Sequence, residues 1–159
     1  MSVEFPDTRR FSRDLPGLTL ADVARAIEEQ DEVAQAEWFP TYTYTTTGSR
    51  ITTVRVIVPT IITMPRWRGY ASAGETDRYE WDRFWFALDA HECGHLDLVK
   101  QHLGTIDERL VGVSTDDARR IWGDALGALR AASDAYDLET RCGRTQGSVL
   151  DVPAATTAA

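Results

Sequence analysis

The segment His91-Glu92-Cys93-Gly94-His95 places two imidazoles and a carboxylate within five residues. In a helix of about 3.6 residues per turn, the two histidines lie one turn apart on one face and can bind the same metal ion. Such an ion lowers the pKa of a bound water, and Glu92 can accept the proton as the water attacks a carbonyl. The pattern therefore predicts metal-assisted hydrolysis with Glu92 as general base. The alternative is a helix in which these side chains bind nothing.

The residues around this HExxH pentad have the spacing of an amphipathic helix. The histidines extend an apolar stripe that recurs at intervals of three and four residues, namely Trp81, Phe84, Trp85, Leu88 and Val99. Thr76 is predicted to cap the helix and Gly104 to end it. His102 would lie about 10 Å from His95 along such a helix, too far for a shared ion. We expect His102 to be structural or solvated.

Length and charge limit the class of protein. The 159 residues predict a single domain, with an irregular arm over 1–17, a core over 18–150 and a disordered tail over 151–159. The net charge of −8 argues against a nucleic-acid or anionic-membrane partner. No apolar run approaches the ~18 residues of a membrane span. No signal-peptide pattern is seen, which favours a cytoplasmic protein, with a secreted mature form as the alternative. The oligomeric state is left open.

Strand patterns occupy the segment before the pentad. Residues 38–47 and 51–64 are rich in Tyr, Thr and β-branched residues, and Gly48-Ser49 lies between them, which is typical of a long antiparallel hairpin. Pro59 lacks an amide donor and marks a bulge or an edge position. Pro65 is predicted to end the second strand, with a loop over 66–74.

Helical patterns flank the hairpin and the pentad. Thr19 is predicted to cap a short helix that ends near Glu29, and Ser114 to cap a longer helix over about 115–135. The longer helix should pack on the HExxH helix. The expected fold is therefore α+β and zincin-like: a long hairpin or small sheet against two or three helices, with the pentad on a central helix.

A polar cluster over 136–147 carries a resemblance to a known family. The motifs, in order, are Pro65-Arg66-Trp67, the HExxH pentad, Tyr136-Asp137-x-x-Thr140 and Gly143-x-x-Gln146-Gly147-Ser148. Their order and spacing resemble those of the bacterial DUF922 proteins, which are described as predicted zinc-dependent proteases and are often secreted. The resemblance implies a zinc-dependent hydrolase.

The resemblance also raises the question of a third ligand. Where the family pattern has histidine, this chain has Cys142. If that position supplies the third ligand of a catalytic zinc site, the ligand set is His91, His95 and Cys142. Two alternatives stay open: Cys142 is a free thiol with Asp137 as third ligand, or it forms a disulfide with Cys93. As a non-ligand, Asp137 would accept a hydrogen bond from a ligating histidine.

The remaining expectations concern the role of Tyr136, the identity of the metal and the activity. Tyr136 either stabilises a transition-state oxyanion or anchors the last helix as an aromatic side chain. Zinc is the expected ion, and Fe²⁺ is the alternative because a His2Cys set is similar to that of peptide deformylase, in which the cysteine precedes the helix. The predicted activity is cleavage of a peptide or small amide substrate. The alternative is a metal-binding scaffold or binding module without turnover.

Overall fold

The computed structural model describes residues 2–30 and 32–152. The fold is α+β, as predicted, and within the described residues all six strands precede the two long helices. In chain order the elements are β1 (Ser2–Glu4), β2 (Arg9–Leu15), α1 (Leu20–Glu28), β3 (Gln35–Trp38), β4 (Thr41–Thr47), β5 (Arg50–Ile57), β6 (Thr60–Trp67), α2 (Glu75–Leu103), α3 (Ile106–Leu110) and α4 (Thr115–Thr140).

The predicted hairpin is present, but it contributes to two sheets. One sheet has the strand order β1-β5-β4 and the other β2-β6-β3. The pairs β4–β5 and β3–β6 are antiparallel, and together they form one hairpin whose two arms both bend between the sheets. At the bend, the amide of Phe39 donates to the carbonyl of Pro59 over 3.0 Å. Pro59 therefore lies where the chain passes from one sheet to the other.

The prediction of an irregular arm over 1–17 is wrong. β1 pairs in parallel with β5, and β2 pairs in parallel with β6. Both are edge strands with largely exposed side chains, so neither shows the alternation of a half-buried strand. Their pairing depends on partners about fifty residues away in the chain, which a local pattern does not reveal.

The prediction that Pro65 ends its strand is also wrong. β6 continues to Trp67, and Pro65 pairs in register with Arg13 of β2. β3 pairs with β6 only as far as Thr63, so at Pro65 the strand has a neighbour on one side only. A residue without an amide donor is tolerated at such a position.

The bounds of α2 follow the prediction closely. Its N-cap is Gly74 instead of Thr76, and a 3-10 turn, Tyr70–Ser72, occupies part of the predicted loop. Gly104 caps its C-terminus, as predicted. The predicted disordered tail lies outside the described residues from position 153 onward. None of the described helices combines the length and apolar character needed to cross a membrane.

α2 connects two apolar cores. Its N-terminal half, including Phe84 and Leu88, packs with the β2-β6-β3 sheet and α1. Its C-terminal part, including Val99 and Leu103, packs with the β1-β5-β4 sheet, α3 and α4. The predicted apolar stripe is thus largely buried, and the HExxH pentad lies near the junction of the two cores.

Candidate metal centre

The pentad presents its three chemical groups on the buried face of α2. His91, Glu92 and His95 are 3%, 4% and 6% exposed, respectively. Their burial follows from the helical stripe, since His91 and His95 continue the spacing of Phe84 and Leu88. Three polar side chains are therefore held inside the protein, where each needs a partner.

Asp137 of α4 completes the group. Its Oδ1 atom lies 3.1 Å from Nε2 of His91 and 3.0 Å from Nε2 of His95. The three side chains offer ligand atoms that all lie within 4.8 Å of one another. The helix was predicted to end near residue 135, but it continues to Thr140, which places Asp137 on the face directed toward α2.

The other nitrogen of each histidine also has a partner. Ser133 Oγ lies 2.9 Å from Nδ1 of His95, and Gln146 Oε1 lies 2.9 Å from Nδ1 of His91. Both imidazoles are therefore held with Nε2 directed at Asp137. Sequence reasoning assigned no role to Ser133 or Gln146. The spacing of the sequence could have indicated a role for Ser133. Ser133, Asp137 and Thr140 follow one another on the buried face of α4, where the preceding residues are apolar.

Tyr136 anchors the histidines. Its ring stacks on His91 with centroids 5.0 Å apart and an interplanar angle of 12°, and its edge-to-face contact with His95 is also at 5.0 Å. Its hydroxyl accepts from Gln146 Nε2 over 2.9 Å and packs on Gly94. Tyr136 is not among the residues that line the adjoining cavity. This geometry supports the anchoring interpretation, and the role as oxyanion donor stays a prediction.

Cys142 does not take the ligand position that was predicted for it. Arg141 ends α4 in the left-handed conformation with φ 51°, and Cys142 follows with φ 52°. These turns leave the thiol exposed and outside the group formed with His91 and His95. The structure therefore favours Asp137, the alternative ligand, over the predicted His2Cys set.

The structure also decides the disulfide alternative and gives the position of His102. Cys93 and Cys142 are both free thiols, so the predicted alternative of a disulfide is wrong. Cys93 lies on another side of α2, 3.7 Å from the guanidinium of Arg10. His102 occupies the last turn of α2, away from the histidine–aspartate group.

Burial dominates the electrostatics of the site. It raises the pKa of the Glu92 carboxyl to about 7, and the nearby Asp137 carboxylate adds to the rise while the backbone amide of Ala36 opposes it. Burial also lowers the pKa of His95, against the opposing effect of Asp137. Glu92 can therefore take up a proton near neutral pH.

A cavity of about 420 Å³ opens onto these groups. His91, Glu92, His95 and Asp137 lie on its wall. Its other lining residues come mainly from the segment leading into β3, from α2 and from the turn after α4, and include Val33, Ala34, Ala36, Phe84, Leu88 and Arg144. The wall is therefore mixed: Phe84 and Leu88 of α2 and the segment 33–34 provide apolar surface, whereas Glu32, Gln35 and the end of α4 provide polar groups.

Fold and site together define an α+β protein in which an HExxH helix and an aspartate from a second helix converge beside a cavity. Over residues 13–145, the sequence matches the family described as bacterial protein of unknown function (DUF922). The chain belongs to this family, in agreement with the resemblance seen in its motifs. No curated protein and no solved structure matches it.

Proposed function

We propose that this protein is a metal-dependent hydrolase of peptide or amide bonds, with His91, His95 and Asp137 as ligands and Glu92 as general base. The observation that carries the proposal is the convergence of the three ligand atoms, at 3.0 and 3.1 Å, beside a buried glutamate. Nδ1 of each imidazole has a hydrogen-bond partner, Gln146 or Ser133, and Nε2 is directed at the shared site, which is the arrangement typical of metal-binding histidines.

The donor atoms fit a divalent cation. Ligands at about 2.0–2.1 Å from a tetrahedral ion lie about 3.3 Å from one another, close to the separations between Asp137 Oδ1 and the two Nε2 atoms. Unprotonated Nε2 atoms and a carboxylate oxygen would repel one another at such distances, so a cation or protons must lie between them. Two imidazoles and one carboxylate suit zinc and also ferrous iron. Zinc is the ion that we propose.

The ion and the protein side chains would contribute different parts of the reaction. A divalent cation held by these residues would polarise a substrate carbonyl and make a nearby water more acidic. Glu92 accepts the proton of the attacking water and then delivers it to the leaving amine. Glu92 lies on the cavity wall together with the three proposed ligands, where it could reach a water held by the ion.

The cavity favours an extended peptide as substrate. β3 is an edge strand, since in its sheet it pairs with β6 alone. Residues of β3 line the same cavity as Glu92, and the amide of Ala36 interacts with the Glu92 carboxyl. A peptide can add to such an edge through main-chain hydrogen bonds, which would bring its carbonyls to the metal centre.

The test combines metal content with turnover. Purified protein loaded with zinc should hold one equivalent by elemental analysis and cleave members of a peptide library, and a chelator should abolish the cleavage. Glu92→Gln should keep the metal while turnover falls by about 10²–10⁴-fold, because the amide cannot accept the proton. Asp97→Asn is the matched control, since it removes an exposed carboxylate from the same helix.

Two outcomes would contradict the proposal in different ways. Stoichiometric zinc without cleavage of any peptide would indicate the alternative, a metal-binding scaffold without turnover. Full activity of Glu92→Gln would remove Glu92 from the mechanism while leaving the ligand set intact.

A further inference from the structure

Gln146 bridges a histidine of the metal centre and its aromatic neighbour. Its Oε1 lies 2.9 Å from Nδ1 of His91, and its Nε2 donates to the Tyr136 hydroxyl over 2.9 Å. Because the Tyr136 ring also stacks on His91, the three side chains form a closed loop of contacts. The stacking on Tyr136 and the hydrogen bond to Gln146 together fix the orientation of the His91 ring.

The backbone around Gln146 is held from both sides. Gln146 ends a 3-10 turn, Arg144–Gln146, that lies between two glycines in the left-handed conformation. On one side of Gln146, the Thr145 hydroxyl donates to the carbonyl of Thr140 over 3.1 Å. On the other side, Arg83 of α2 donates to the carbonyl of Gly147 over 2.8 Å. The side chain of Gln146 therefore extends from a fixed position.

The return of the chain toward α2 depends on a residue without a side chain. Gly143 has φ +79°, and a Cβ atom there would lie 3.0 Å from Cγ of His91. The turn can approach the imidazole this closely only with glycine at that position. The same approach brings Gln146 within hydrogen-bonding distance of Nδ1.

The amide of Gln146 has consequences for the protonation of His91. An amide oxygen accepts hydrogen bonds and cannot donate them, so Oε1 beside Nδ1 favours the tautomer that carries the proton on Nδ1. Nε2 then keeps its lone pair for the cation, which would lie between this atom and Oδ1 of Asp137. The opposite tautomer would place a proton on Nε2, where a metal ion cannot bind.

We propose that Gln146 is a positioning residue that holds His91 in the Nδ1-protonated tautomer and so prepares Nε2 to bind the cation. The proposal rests on the proposed function for the identity of the ligand. Its first part, the choice of tautomer, concerns the chain alone. The two parts can therefore be tested separately.

The tautomer is measured in a metal-free Asp137→Ala background, because without a cation the Asp137 carboxylate, 3.1 Å from Nε2, would itself attract a proton to that nitrogen. The ¹⁵N chemical shifts of the His91 ring, recorded at a pH where the ring is neutral, report which nitrogen carries the proton. Gln146→Met keeps the shape of the side chain but removes the acceptor, so the population should shift toward the Nε2-protonated form. Gln146→Glu restores an acceptor and should shift it back. Thr145→Val, which loosens the same turn without touching His91, should leave it unchanged.

Zinc affinity is measured for the same Gln146 and Thr145 substitutions, made in the wild-type chain, by competition with a chromogenic chelator. Gln146→Met should weaken zinc binding by about 10–100-fold, as is typical when the partner of a ligating histidine is lost. Gln146→Glu should retain most of the affinity, and Thr145→Val should match the wild type. Thermal unfolding of each variant identifies any loss of affinity that comes from loss of the fold.

An unchanged His91 tautomer in Gln146→Met would overturn the proposal, as would wild-type zinc affinity in that variant. Equal losses of affinity in Gln146→Met, Gln146→Glu and Thr145→Val would also overturn it, because they would show a merely structural role for the turn. If the wild-type protein binds no zinc, the proposed function fails, while the tautomer measurement still tests the role of Gln146.

Discussion

Asp137 Oδ1 lies 3.0 Å from Nε2 of His95, although the two residues are 42 positions apart in the chain. This contact joins α2 to α4 at the candidate metal centre. It depends on the final turn of α4, since a helix that ended at residue 135 would leave Asp137 in a loop. The contact also determines which residue we expect to be the third ligand.

Asp137→Ala should empty the metal centre. The substitution leaves only two protein ligands, whereas a catalytic zinc site takes three. Elemental analysis after gel filtration should show less than a tenth of an equivalent of zinc in this variant. Glu139→Ala, an exposed acid on the same turn of α4, should bind a full equivalent.

Cys142→Ser should bind zinc like the wild type. The thiol is exposed and lies outside the histidine–aspartate group, so its removal takes no donor from the ion. Alkylation of Cys142 should accordingly proceed at the same rate with and without zinc. Protection of the thiol by zinc, together with loss of the metal from Cys142→Ser, would restore the His2Cys assignment.

The metal-free protein should lose stability as the pH rises from about 4.5 to about 7, because burial raises the pKa of Glu92 over this interval. The folded state binds the Glu92 proton more tightly than the unfolded chain does. The stabilisation is thus complete below the unfolded pKa and lost as the pH passes the folded pKa. The loss amounts to about 3–4 kcal/mol, since one pKa unit corresponds to about 1.4 kcal/mol. Urea unfolding at a series of pH values measures this loss in the free energy of unfolding.

Glu92→Gln provides the comparison for this pH dependence. The variant has no carboxyl group at position 92, so the difference between the two stability profiles isolates that group. The lowered pKa of His95 acts in the opposite direction, because stability rises as the unfolded chain loses the proton it binds more tightly. This contribution is largely common to both proteins. Parallel profiles for the wild type and Glu92→Gln would show that burial does not perturb Glu92.

Gly94→Ala should destabilise the protein by about 1–3 kcal/mol, the usual cost of overpacking a filled site. A methyl group at position 94 would overlap the hydroxyl of Tyr136, which cannot retreat while its ring is stacked on His91. Gly123→Ala is the matched control in α4, because nothing lies within 4 Å of the added carbon. In that variant the higher helix propensity of alanine should raise the free energy of unfolding by about 0.5–1 kcal/mol. Chemical denaturation of both variants gives the comparison.

Local patterns predicted the elements whose signals lie close together in the chain. The stripe through Phe84 and Leu88 gave α2 and the burial of His91 and His95. Thr19 and Ser114 were correctly identified as N-caps, and each receives a hydrogen bond from the third residue of its helix. These features depend on helix period and capping, which are properties of short segments.

Features that depend on distant partners could not be predicted in this way. β2 is recognisable only through its pairing with β6, because its own side chains are largely exposed. Asp137 was predicted only as the alternative third ligand for a related reason: the end of α4 lacks a glycine cap, and Arg141 adopts the left-handed conformation in its place. The family pattern drew attention to Cys142, whereas the length of the helix determines the position of Asp137.

The hairpin shared by the two sheets has a consequence for local opening of the protein. Because β3–β6 and β4–β5 are parts of the same two chain segments, separating the strands of one sheet pulls on the strands of the other. Amide hydrogens in both pairs should therefore exchange with deuterium at a single free energy of opening, as one cooperative unit. β1, which has three residues and pairs only with β5, should exchange earlier.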